Sequence, residues 1–193
     1  SRSEAIWSER AGIGSFEVVA SGAQLEALDQ AGLEPVIAVA DLGEMIDAER
    51  VQLSVLQQAK NPWFSTYHRT PEIHSYLDQL AGEFPQLTTL DDLGDSLQGR
   101  ELKAIRITAP GDASNRPIIF FNGGQHAREW ISPATVTYIA DQLLRQYGTD
   151  PIVTALVDHV EWVILPVVNP DGYEYTWDST RLWRKNRRNN GDG

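Results

Sequence analysis

Residues 117–130 read PIIFFNGGQHAREW. Pro117 to Asn122 is an unbroken apolar run, the mark of a β-strand buried on both faces. Two glycines, Gly123 and Gly124, then let the backbone turn sharply at the strand end. His126 and Glu129 follow, three apart, at the entrance to a helix opened by Ser132-Pro133. In one helical turn or a tight loop, side chains at i and i+3 point the same way. An imidazole nitrogen beside a carboxylate oxygen is a donor pair that suits Zn2+. A catalytic zinc takes three protein ligands and leaves one position for water, so a third ligand must come from elsewhere. The spacing also fits a surface histidine at a helix start with a glutamate favoured by the helix dipole. The other histidines, His68, His74 and His159, do not stand at the C-terminal end of a predicted strand. Each is expected as a surface or capping residue.

Outward from this stretch the pattern alternates. Thr70-Pro71 reads as an N-cap followed by proline at the first helical position. Ile73, Tyr76, Leu77, Leu80, Ala81 and Phe84 then repeat at helical spacing. Leu87 to Leu93 and Leu102 to Thr108 are expected strands around a turn at Gln98-Gly99. After Ser132-Pro133, Val136, Ile139, Ala140, Leu143, Leu144 and Tyr147 line one helical face. Asp150-Pro151 opens a further helix, and Val160 to Val168 is a second buried strand. Asn169 to Tyr173 reads as a structural loop after that strand. Buried strands alternating with amphipathic helices argue for a layered α/β domain, with chemistry in loops past the C-terminal strand ends.

The chain divides near Lys60-Asn61-Pro62, an expected exposed linker in which Lys60 could be a processing site. Before it, Phe16 to Val19 and Pro35 to Ala40 are expected short strands. Ser21 with Gln24 forms a capping box, Leu25 and Leu28 face inward, and Gly32 stops the helix. Residues 41–59 read as helical, with Leu42, Met45, Ile46, Val51, Leu53 and Leu56 as core positions.

With 193 residues, 41 % of them apolar, the chain can build a real core. The absence of cysteine excludes thiolate chemistry, thiolate metal sites and disulfides. No apolar run approaches the roughly 20 residues of a membrane helix. A formal net charge of -11 disfavours nucleic acid and anionic membranes as partners. Against that trend stand Arg181, Arg184, Lys185, Arg187 and Arg188. They read as a solvated basic loop, a nucleic-acid patch, or anion-binding groups of an active site.

Gly124 to Trp130 (GQHAREW) resembles the zinc-binding segment of the metallocarboxypeptidases of the A/B type. Other segments match in order: Tyr67-His68 with Glu72-Ile73, Gly94-Asp95-Ser96 with Gly99-Arg100, and Asn115-Arg116-Pro117. Asn169-Pro170-Asp171-Gly172-Tyr173 and Arg181-Leu182-Trp183-Arg184-Lys185 complete the series. The match covers about residues 62–193, and residues 1–61 resemble more loosely the small αβ pro-region of such zymogens.

This resemblance implies a mixed sheet sandwiched by helices, incomplete here, with a small N-terminal αβ segment. It implies a secreted exopeptidase holding one Zn2+ and cleaving the last peptide bond of peptides and proteins. His126 and Glu129 match two zinc ligands, Arg184 the arginine that stabilises the oxyanion, and Arg128 and Arg181 arginines of the substrate groove. That gives the basic segment a carboxylate and a developing negative charge as partners, with no nucleic acid and no membrane. Trp130 and Trp183 are expected in packing. The resemblance also implies a remaining C-terminal half with a third ligand (a histidine), the glutamate base and the groups that bind the substrate's terminus. Asn186-Arg187 falls too early to be the carboxylate-binding Asn-Arg pair. Two other readings stand beside it: a zinc amidohydrolase acting on acyl amino acids or cell-wall peptides, and a truncated, non-catalytic binding protein.

Overall fold

The computed structural model describes residues 17–58 and 63–189. Phe16, the linker residues Lys60, Asn61 and Pro62, and the side chains of Leu53 and Leu56 lie outside what it describes. Two compact units divide the chain between Gln52 and Leu53.

In the first unit, α1 (Gly22–Gln30) starts at the capping box: Ser21 N–H donates to Gln24 Oε1 at 2.8 Å, and Gln24 N–H donates to Ser21 Oγ at 3.4 Å. Leu25 and Leu28 are its most covered positions, and Gly32 ends it at φ 75°. Helix α2 (Leu42–Gln58) is capped by Asp41, whose carboxylate accepts from the N–H groups of Gly43 and Glu44. The two expected strands do not form among the described residues. Only Val18 bridges, and residues 35–40 carry no ladder, with Val36 91 % exposed. A β-branched run becomes a strand only where a neighbour takes up its backbone groups.

The second unit is built on a four-stranded mixed sheet in the order β1 (Thr88–Asp95), β2 (Glu101–Ile107), β4 (Glu161–Leu165), β3 (Ile118–Asn122). β1 and β2 form an antiparallel hairpin with Leu90 opposite Ile105, and β2 pairs antiparallel with β4, Ile105 opposite Ile164. β3 runs parallel to β4 with Phe120 opposite Val163. Helix α3 (Thr70–Glu83) gives Tyr76, Leu77 and Leu80 to the main core. Helix α4 (Ile131–Gln146) gives Val136, Ala140, Leu143 and Leu144, and α5 (Pro151–His159) gives Val157. They pack on Ile105, Ile107, Trp162 and Ile164. Alternation along the strands sends Ala104, Val163 and Leu165 to the opposite face.

Three local readings need correction. Thr70 is the first residue of α3, and Arg69 is its cap, with Arg69 N–H donating to Glu72 Oε2 at 2.8 Å. Residues 169–173 are not a loop: Asn169 caps α6 (Pro170–Asp178). β3 is not buried on both faces. Among the described residues it pairs with β4 alone, and Ile118 and Phe120 are 63 % and 51 % exposed. An apolar run signals the burial a strand is suited to, and among the described residues one side of β3 stays uncovered. β4, the second expected buried strand, is buried from Trp162 to Leu165 and is flanked by β2 and β3.

Candidate metal centre

The site grows from the end of β3. The β3–β4 ladder continues one step further, because Gly123 N–H donates to Leu165 O at 3.0 Å and Val168 N–H donates to Gly123 O at 2.9 Å. A side chain at Gly123 has no room, since a Cβ there would lie 2.6 Å from Pro166 O. Gly124 turns the chain at φ +65°, a conformation side chains other than hydrogen resist. Its N–H donates to Ser132 Oγ at 3.2 Å, which ties the turn to the first turn of α4.

Between these anchors, Glu129 N–H donates to His126 O at 3.0 Å. That tight turn brings the two side chains together. His126 Nδ1 lies 3.0 Å and 3.1 Å from the two carboxylate oxygens of Glu129. Both side chains are partly open to solvent.

The third group arrives from the segment after α6. Arg184 Nη2 stands 3.4 Å from His126 Nδ1. Its backbone is fixed to the same turn, with Ala127 N–H donating to Arg184 O at 3.0 Å. Arg181 Nη1 donates to Arg128 O at 2.9 Å, and its guanidinium lies over the Trp130 ring, 3.7 Å from the centroid. Arg128 itself is half-buried beside the pair.

The floor under this turn is aromatic. Trp130 is buried, stacks on Trp177 at 3.9 Å, and donates its indole N–H to Thr176 Oγ1 at 2.7 Å. Tyr173 packs in the same cluster and donates its hydroxyl to His68 O at 2.7 Å; burial pushes its phenol well above the ordinary value. Trp130 is thus a packing residue, as expected. Trp183 joins Tyr175 edge-on, and Arg187 covers both rings.

Helix α6 organises the surroundings. Asp171, almost fully buried, accepts from Ser96 Oγ at 2.7 Å, Gln98 N at 3.1 Å and Arg100 Nη1 at 2.7 Å. Glu174 accepts from Thr70 N at 2.8 Å. Sequence reasoning missed this hub, although Asn before Pro is a helix-start signature.

The donor set can be tested for a zinc ion. Two ligand atoms each about 2.0–2.2 Å from a tetrahedral zinc lie about 3.3–3.6 Å apart. The 3.0–3.1 Å separation of His126 Nδ1 from the Glu129 oxygens is slightly shorter than this, and a nitrogen with a carboxylate is suitable chemistry. Among the described residues no third His, Asp or Glu completes a cluster.

A family profile described as zinc carboxypeptidase matches residues 73–193. The chain is 49 % identical over 144 residues to zinc carboxypeptidase A 1 of Anopheles gambiae, covering 74 % of this chain and 32 % of that protein. It is 41 % identical over 133 residues to inactive metallocarboxypeptidase ecm14 of Talaromyces marneffei, covering 67 % of this chain and 22 % of the other. Among solved structures, the carboxypeptidase A of Helicoverpa armigera superposes with a TM-score of 0.83 at 28 % identity, over 96 % of this chain and 47 % of that one. The chain therefore spans about a third or less of the length of these two curated relatives.

Proposed function

The chain belongs to the zinc carboxypeptidase family, and from that premise we propose that it is part of an exopeptidase that releases the C-terminal residue of peptides and proteins. One observation carries the reading: a carboxylate and a guanidinium both lie within 3.4 Å of one imidazole nitrogen, His126 Nδ1, at the end of a parallel strand. His126 and Glu129 would hold the zinc. When bound there, the metal supplies Lewis acidity toward a peptide carbonyl and an acidified water.

Arg184 stands beside the same point. Its fixed positive charge suits the negative charge that develops on the scissile carbonyl oxygen, and a preorganised donor of this kind is commonly worth about 3–4 kcal/mol in the transition state. Arg128 and Arg181 border the pair and give the groove the sign that attracts a peptide carboxylate. In the same proposal the exposed edge of β3 seats the remaining half of the enzyme, which brings the third ligand and the general base. An extracellular place of action belongs to it as well.

The test is release of C-terminal amino acids from blocked peptides by the protein at its natural length, with and without a chelator. Activity abolished by the chelator and restored by zinc is expected. No release, or full activity after metal removal, would overturn the reading. Acylated amino acids in the same panel separate it from an amidohydrolase. One observation favours a second reading, a zinc-binding protein without catalysis: the relative named inactive is 41 % identical. Stoichiometric zinc with no release from any substrate would establish that alternative.

A further inference from the structure

Asn169 stands at the start of α6, and its side chain does more than begin a helix. Its Oδ1 accepts from Gly172 N–H at 3.1 Å, which fixes the orientation of the amide. Its Nδ2 therefore faces two carbonyls, donating to Gln125 O at 3.2 Å and Lys185 O at 3.1 Å. One of these belongs to the residue just before His126, the other to the residue just after Arg184.

Capping needs only the acceptor, and serine or aspartate supplies that as well. The two amide protons have no part in capping. They join two loops that come from distant parts of the chain. The junction is tight, for a Cβ on Gly172 would lie 2.4 Å from Lys185 O. The bond from Ala127 N to Arg184 O runs alongside in the same sense.

We propose that Asn169 is a positioning residue: its amide protons hold the His126–Glu129 turn against the Arg184 segment and so set the place of the guanidinium relative to the metal ligands. The catalytic part of this inference rests on the exopeptidase reading above; the structural part does not. Misplacement of a reacting group by about 1 Å can cost about 100-fold in rate, and losing an outer hydrogen-bond partner of a metal site costs about 10–100-fold in activity or affinity. Lys185 O keeps the Trp183 indole N–H at 2.6 Å, and Gln125 is exposed to water, so neither carbonyl is stranded and the fold should survive.

The test is Asn169→Ser, with Asn169→Asp beside it, in the protein at its natural length. Both keep the capping oxygen and lose the two donors. The expected result is a kcat lowered about 10–100-fold with KM changed far less, a Tm within a few degrees of the wild type, and faster hydrogen exchange at the Ala127 amide. Wild-type kcat with wild-type Ala127 exchange in both variants would overturn the inference. So would a loss of kcat that only follows the fraction unfolded, or failure of both variants to fold. Should the wild-type protein release no amino acid, the exopeptidase reading falls, and Ala127 exchange in the variants alone decides this one.

Discussion

Replacing Gly123 with alanine tests whether the turn behind the metal ligands is held by close packing. The new Cβ would meet Pro166 O at 2.6 Å, Val136 Cγ2 at 2.8 Å and Ser132 O at 3.0 Å. Two of these obstacles are backbone, one just past β4 and one in the first turn of α4, so neither can rotate away. Separating Gly123 from Pro166 stretches the flanking bonds to Leu165 O and from Val168 N. Overpacking costs about 1–3 kcal/mol, and weakening two backbone bonds adds about 1 kcal/mol or more. The sum is about 2–4 kcal/mol, or roughly 5–15 °C in Tm for a chain of this size. Gly82 gives the opposite sign as a control: it sits exposed in α3 with nothing within 4 Å of its missing Cβ. Alanine there should stabilise by up to about 1 kcal/mol. Urea unfolding followed by tryptophan fluorescence measures both. Gly123→Ala within about 0.5 kcal/mol of the wild type, well below the cost of overpacking, would refute the close-packing argument.

His126→Ala and Glu129→Gln should each weaken zinc binding by more than the roughly 10–100-fold that loss of an outer hydrogen-bond partner brings, read by chelator competition. Arg184→Ala should lower kcat about 100- to 1000-fold and leave zinc affinity in place, which steady-state kinetics and the same competition assay check together. Asp171→Ala strands the donors of Ser96, Gln98 and Arg100. Calorimetry should show a loss of about 3 kcal/mol, large because a buried carboxylate's partners are left unmet. Burial, helped by the bond to Asp141, pushes the Tyr76 phenol up to about 12. A phenol held neutral in the fold adds stability that is complete below pH 10 and lost as pH rises toward 12. Tyr76→Phe should therefore flatten the fall in stability across that window in urea titrations.

The second unit was largely readable from periodicity. Ile73, Tyr76, Leu77 and Leu80 fall on the buried face that their spacing announces, and β1, β2, β3, β4, α4 and α5 all appear within a few residues of their expected limits. Misreadings arose where a local signal depends on something distant. Pro117 to Asn122 carries the composition of a covered strand, yet its second side is open among the described residues. Val36 and Ile37 have strand-forming side chains without a ladder to join. At the site, His126, Glu129 and Arg184 were marked by residue type and resemblance, and the structure brings the three together. The role of Asn169 was hidden because its bonds reach 44 residues back to Gln125 and 16 forward to Lys185. No window of sequence displays such a junction.

Helix α6 also has a bearing on how the protein is made. Thr70 N–H waits for Glu174, 104 residues later, and the Ser96 hydroxyl waits for Asp171, 75 residues later. At about 5–20 residues per second, a ribosome needs roughly 5–20 s to bridge the longer gap. α3 and the β1–β2 hairpin are thus made well before the helix that joins them. A nascent chain stalled just before Pro170 should therefore expose the aromatic cluster around Ile73 and Trp130 to chaperones. One stalled far enough beyond Asp178 for α6 to clear the tunnel should not.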